Sequence, residues 1–126
     1  MLVAGGMTRN HERLEAFQLA DHLAVLVYRA TAEFPREERF GLTSQLRRAS
    51  VSVATNIVEG CARQTQREYA YFLNIASGSA AEVRYLLNLS SRLNLADQEK
   101  LADCENCALR AVQVLHTLQR AVAALP

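Results

Sequence analysis

The sequence predicts an all-α fold, an antiparallel up-down-up-down four-helix bundle, and three observations carry that prediction. Apolar residues recur at spacings of three and four through most of the chain. The breaks between these stretches are short and hold stop and start residues: Pro35, Gly60, Thr65, Asn94 and Asp97. Half of the 126 residues are apolar, with two prolines and five glycines. Such a chain is not disordered and can bury one real core. We divide it into a flexible leader over residues 1–12, within which Met7 is a second candidate start, and a bundle domain over residues 13–126.

The first helix is expected from about Leu14 to Glu33, with Phe17, Leu23, Ala24, Val27 and Tyr28 on its inner side. Pro35 ends it, because proline cannot continue a helix and restricts the residue before it. In the loop PREERFGL, Phe40 and Leu42 around Gly41 are expected to form an apolar plug that fixes the turn. The second helix starts near Thr43 or Ser44, either able to cap it, and Gly60 marks its end or a close-packing point. Thr65-Gln66-Arg67-Glu68 reads as a capping box that opens the third helix, which runs to about Leu93. There Phe72, Ile75, Ser79, Glu82, Leu86, Leu89 and Leu93 alternate steps of three and four, the spacing of a bundle seam. Asn94 is a stop and Asp97 a new N-cap. The fourth helix carries Leu101, Cys104, Ala108, Ala111, Leu115, Leu118, Val122 and Leu125 at the same spacing. Short links between long amphipathic helices favour antiparallel neighbours. No β signal, internal repeat or second domain is read from the chain.

The run Gln45 to Gly60, QLRRASVSVATNIVEG, is the most informative. Leu46, Ala49, Val53 and Ile57 form one apolar stripe, and Val51, Ala54 and Val58 a second. Arg48, Ser52, Asn56 and Glu59 share an arc of roughly 80°. A helix apolar on two sides is expected to be buried on both. These four, with Glu82 as a partner for Arg48, are therefore read as a buried polar network or a subunit interface. A ligand or nucleic-acid contact is the functional alternative. No His or Cys is placed to act as base or nucleophile, so no catalytic residue is assigned and no enzyme is expected.

Arg47, Arg63 and Arg67 near the helix ends are the candidate nucleic-acid contacts, against a plain solvated face. No aromatic residues interleave with them as a base-stacking platform requires, so backbone contact is the limit. Thirteen of the fourteen basic residues are Arg, yet the net charge is only +1. Cys104-Glu105-Asn106-Cys107 superficially resembles a metal or redox pair, but Cys61 and His116 lie at no standard ligand spacing. No metal or cofactor is expected. The small residues Ala76 to Ala81 lack a phosphate-loop pattern and read as a place of close helix approach, with Tyr69, Tyr71 and Tyr85 as interface anchors. An odd count of three cysteines argues against a disulfide scaffold, and no signal peptide or membrane-spanning stretch is evident. A cytoplasmic protein follows.

The motifs together resemble a known family, the four-helix-bundle proteins named after intervening sequences in bacterial 23S ribosomal RNA genes, also called the S23 family. The resemblance is carried by Leu14, Phe17, Gln18 and Ala20; by Tyr28, Thr31, Phe34 and Pro35; by Phe40-Gly41-Leu42 and Gln45-Leu46-Arg47-Arg48-Ala49; by Ser52, Asn56-Ile57 and Glu59-Gly60; and by Phe72-Leu73, Ile75-Ala76, Gly78-Ser79 and Glu82. It covers about residues 14 to 95. The chain departs from the family pattern at Val53, Ala54 and Thr55, where an I-P-S-like stretch with a kinking proline is usual. The resemblance implies a ring of copies, a homopentamer. It extends in fold to the accessory variability determinant of diversity-generating retroelements, a pentameric barrel with a basic surface. It implies no settled biochemical activity. The expectation is a self-associating bundle that contacts RNA or DNA backbone through arginines, or alternatively a protein-interaction scaffold without nucleic acid.

Overall fold

The computed structural model of the chain describes residues 2–4, 6–7 and 9–126, with side chains from Arg9 onward. Four long helices follow one another: α1 Glu15–Thr31, α2 Leu42–Cys61, α3 Gln66–Arg92 and α4 Gln98–Ala123. Helix α1 packs on α2 and α4, and α3 packs on the same two. Cross-links fix the directions. Arg47, early in α2, donates to Thr31 at the end of α1 (2.8 Å), and Gln66, opening α3, donates to the Val122 carbonyl late in α4 (2.9 Å). Glu33, just past α1, pairs with Lys100 at the start of α4. Arg48 faces Glu82 while Ser52 faces Ser79, so α2 and α3 also run in opposite senses. The bundle is thus the expected antiparallel up-down-up-down arrangement, and α2 is continuous where a kinking proline is absent.

The core stripes follow the sequence in two helices and depart from it in two. Leu46, Ala49, Val53 and Ile57 of α2 are wholly buried, as are Leu101, Cys104, Ala108, Ala111 and Leu115 of α4. Leu118 is half-buried and Leu125 exposed. In α1 the inner line is Ala16, Ala20, Leu23, Val27 and Ala30. Phe17 and Ala24 are only half-buried, and Tyr28 is exposed with its ring under the Arg47 guanidinium at 4.5 Å. A tyrosine keeps its polar tip in water while its body packs. In α3 the expected seam is rotated. The core line is Tyr69, Leu73, Ala76, Ala80, Val83 and Leu87; of the expected seam Leu86 is buried as well, Phe72, Ile75, Ser79, Glu82 and Leu89 are half-buried and Leu93 is exposed. Small residues won the inner position: Ala76 and Ala80 let α2 and α4 approach closely, and the larger side chains cover the flank.

The helix ends show why each element stops. Helix α1 ends at Thr31, ahead of Pro35, which heads a single 3₁₀ turn over Arg36–Glu38. The plug reading of the following loop holds for Leu42, which is buried, and fails for Phe40, which is 88% exposed. Neither Thr43 nor Ser44 caps α2. Gly41 precedes it, and the Glu38 carboxylate accepts from the Leu42 amide at 3.1 Å, satisfying the first free donor from outside the helix. Thr65 and Asp97 do cap α3 and α4, accepting from the amides of Glu68 and Lys100. Asn94 adopts φ 54°, with Leu95 N–H bonded to Ser90 O and Asn94 N–H to Ser91 O, a Schellman closure of α3.

The described residues of the leader carry two pieces of local structure. It contains a minimal antiparallel pairing of β1 (Leu2–Ala4) with β2 (Gly6–Met7), where no β signal was expected. Its last residues are docked on the bundle. Asn10 caps a 3₁₀ turn at His11–Arg13, and Arg9 stacks over the Tyr69 ring at 4.2 Å and donates to Arg63 O at 2.8 Å.

Candidate functional site

The stripe Leu46–Ala49–Val53–Ile57 sets the rotation of α2, and that rotation decides where its polar row points. The row lies along the outer edge of the α2–α3 joint. Arg48 Nη2 meets Glu82 Oε2 at 2.8 Å. Ser52 Oγ lies 2.9 Å from Ser79 Oγ. Asn56 Nδ2 donates to Ser52 O at 2.8 Å and Ser52 Oγ at 3.0 Å. Beyond them the two helices meet at Gly60, where an added Cβ would lie 3.0 Å from Phe72 Cβ and 3.2 Å from Tyr69 Cδ1. The row thus holds two hydrogen-bonded groups side by side, the pair Arg48–Glu82 and the set Ser79–Ser52–Asn56. Ser79 is the member that sequence reading left out. Its signal was its place three residues before Glu82 on the same helix face.

In two respects the protomer departs from the buried-network alternative, while the interface alternative concerns contacts between copies. Within the protomer the row is not buried: the side chains of Arg48 and Glu82 keep 62% and 39% of their exposure, and Ser52 and Asn56 are half-buried. The second apolar stripe is only partly covered: Ala54 and Val58 are half-buried, and Val51 is 38% exposed. An exposed ion pair of this kind contributes about 0–1 kcal/mol. Glu59 also stands apart. It pairs with Arg63 one turn on, at 3.1 Å, and Arg63 stacks over Phe72 at 5.1 Å.

Arg47, Arg63 and Arg67 are not brought together. Arg47 lies near the start of α2 and Arg63 just past its end, roughly 24 Å apart along the axis at 1.5 Å per residue. Arg67 is exposed in the first turn of α3, near Arg63. Arg47 instead belongs to the elbow between α1 and α2. There a groove of about 340 Å³ is lined by Thr31, Phe34, Arg36, Arg39, Thr43 and Arg47, among others. A larger groove, about 460 Å³, runs between α3 and α4 past Tyr85, Asn88 and Glu105.

The remaining candidate groups are packed. Cys104 is buried, and burial, followed by the nearby Cys107, pushes its thiol up to about 11. The Cys107 thiol donates to Leu19 O at 3.5 Å, and burial raises it too. Burial likewise raises Cys61 and pushes Tyr69 up to about 12. Among the described residues no buried side-chain nitrogen or oxygen lacks a hydrogen-bond partner, and no group of three or more His, Cys, Asp or Glu gathers at metal-binding distance. Among them, too, no helix is long and apolar enough to cross a membrane.

Comparison with known proteins identifies a family and similar solved structures. The sequence model of the 23S rRNA-intervening sequence protein family matches residues 12–117. A crystal structure of a protein of unknown function from the S23 ribosomal protein family of Bacteroides thetaiotaomicron VPI-5482 superposes with a TM-score of 0.75. The two are 23% identical, over 83% of this chain and 95% of the other. No curated protein matches the chain.

Proposed function

The chain belongs to the 23S rRNA-intervening sequence protein family, and from that premise we propose a non-enzymatic, self-associating bundle that works in the cytoplasm as an adaptor on RNA or DNA backbone. The observation that carries self-association is the exposed outer face of α3. Tyr71, Gly78 and Tyr85 recur every seven residues on one outward line of α3, the tyrosines 63% and 59% exposed and the glycine with open space above it. Tyr71 stacks edge-on against Phe72 at 5.3 Å, and Tyr85 lines the groove between α3 and α4. Two rigid aromatic anchors beside a position where another backbone can approach closely suit a subunit joint. A ring, with five copies as its size, would place this face against a neighbouring copy.

Several features support the remaining terms. The polar row pairs its groups with one another, which suits a structural rather than a catalytic role. The three free cysteines, two of them buried, suit a reducing compartment. Arg36, Arg39, Arg47 and Arg67 have no ion-pair partner among the described residues, which leaves their charge available to phosphate. The scaffold reading is favoured by the opposite fact at Arg48, Arg63 and Arg110, each neutralised by a carboxylate.

Light scattering on a sizing column at micromolar concentration tests self-association. A homo-oligomer is expected, shifted toward monomer by Tyr71→Glu with Tyr85→Glu. A monomer at every concentration removes the proposal. Gel shifts at low and high salt separate the two readings: steeply salt-sensitive binding supports the adaptor, and no binding at low salt leaves the scaffold.

A further inference from the structure

No aromatic residue interleaves with Arg47, Arg63 and Arg67 in the sequence, but the elbow that holds Arg47 also carries an exposed ring. Phe40 is the most exposed large apolar side chain among the described residues, at 88%. Its ring carries the Arg39 guanidinium at 5.3 Å. Arg39 also lines the elbow groove with Arg36 and Arg47, and no carboxylate lines it. Arg47 is held in place without being neutralised. Its Nε donates to Thr31 Oγ1 at 2.8 Å, its Nη2 to Tyr28 O at 3.4 Å, and its plane lies over the Tyr28 ring. Of the two acids in the turn, Glu38 has its carboxylate committed to the Leu42 amide, and Glu37 lies outside the groove lining. The turn itself is fixed, with Pro35 and a 3₁₀ turn on one side of Phe40 and buried Leu42 on the other.

We propose that the elbow between α1 and α2 binds single-stranded nucleic acid, with a backbone phosphate in the groove among Arg36, Arg39 and Arg47 and a base stacked on Phe40. The inference rests on the adaptor reading above and gives it a site. Three uncompensated guanidinium groups around a concave surface attract phosphate, and an exposed ring one residue from Arg39 offers a π-face to a neighbouring base. A duplex keeps its base faces stacked inside, so the ring selects single strands. In an oligomer the elbow repeats on every copy, and repeated weak contacts add as avidity.

The test is fluorescence anisotropy with a labelled, unstructured 15-nucleotide RNA and a blunt duplex of the same sequence. The full chain is compared with Arg36→Ala/Arg39→Ala, Phe40→Ala, Phe40→Trp and Arg63→Ala/Arg67→Ala, each checked for unchanged helicity and oligomer size. The single strand is expected to bind better than the duplex. Arg36→Ala/Arg39→Ala weakens it at least tenfold and flattens the dependence of log K on log salt by roughly 1 to 1.5, about 0.7 per lost contact. Phe40→Ala weakens it by about fivefold to a hundredfold with the salt slope unchanged, and Phe40→Trp restores it. If Arg63→Ala/Arg67→Ala abolishes binding while the elbow variants bind like the parent, the elbow is overturned and the adaptor reading survives. Equal duplex binding with a silent Phe40→Ala overturns the stacked base and with it the proposal. A parent protein that binds neither probe at low salt removes both.

Discussion

Gly60 and Gly78 are one residue type in two adjacent helices with opposite surroundings. At Gly60 the missing side chain is what lets α2 touch α3, since a Cβ would meet Phe72 Cβ at 3.0 Å. That atom is fixed to the α3 backbone and cannot turn aside. Gly60→Ala is therefore expected to destabilise the bundle by about 1–3 kcal/mol in urea unfolding. At Gly78 nothing lies within 4 Å, so an alanine gains helix propensity without a clash. Gly78→Ala should raise protomer stability by about 0.5–1 kcal/mol. If the same change weakens the oligomer on a sizing column, the open glycine serves a neighbouring copy. If both quantities rise, it does not. Both glycines were visible in the sequence. Which was crowded was not, because crowding is a property of the facing helix.

At the scale of elements, the turns carry the clearest sequence signals because they depend on local chemistry. Thr65, Asn94 and Asp97 are read correctly, each making its bonds within a few residues. The start of α2 is misread for the same reason in reverse. Its first amide is satisfied by Glu38 from the preceding turn, which leaves Thr43 and Ser44 uncommitted as caps. Asn94 holds φ 54°, a conformation that costs most side chains about 1–2 kcal/mol and that glycine adopts freely. Asn94→Ala should lower the thermal midpoint and Asn94→Gly should hold or raise it. Equal loss in both would mean that the side chain of Asn94, which accepts from Gln98 at 2.8 Å, matters more than its backbone.

For the whole molecule, buried ionisable groups set a pH dependence. Cys104 is raised from 9.0 to about 11 and Tyr69 from 10.0 to about 12, both chiefly by burial, and Cys61 and Cys107 move the same way. In the unfolded chain these groups ionise first. The unfolded state then holds fewer protons than the folded one, so stability falls as pH rises. It should be level below about pH 9 and decline between 9 and 12. A urea midpoint that stays constant across that range would contradict the burial of these groups. At pH 7.5 the same burial should leave Cys61 and Cys104 unlabelled by a thiol reagent until the bundle unfolds. At the acid end, Glu33 is held below its ordinary range by the hydrogen bond from Lys100, so that exposed tie is lost as pH falls through the carboxylate range.

The amino-acid pattern alone determined the helix count, the antiparallel order, the core lines of α2 and α4, and three of the caps. These follow from spacing and from bonds a few residues long, and spacing is written in the chain. Only the tertiary structure decided that the core of α3 runs through Ala76 and Ala80, and that Glu59 turns to Arg63. It alone showed that the polar row lies along a partly exposed edge, that Phe40 stands in solvent against Arg39, and that Arg39 shares a groove with Arg36 and Arg47. A periodic helix offers several stripes of nearly equal apolarity. Which of them faces inward is settled by how closely its neighbour can approach, and that is a property of the pair of helices.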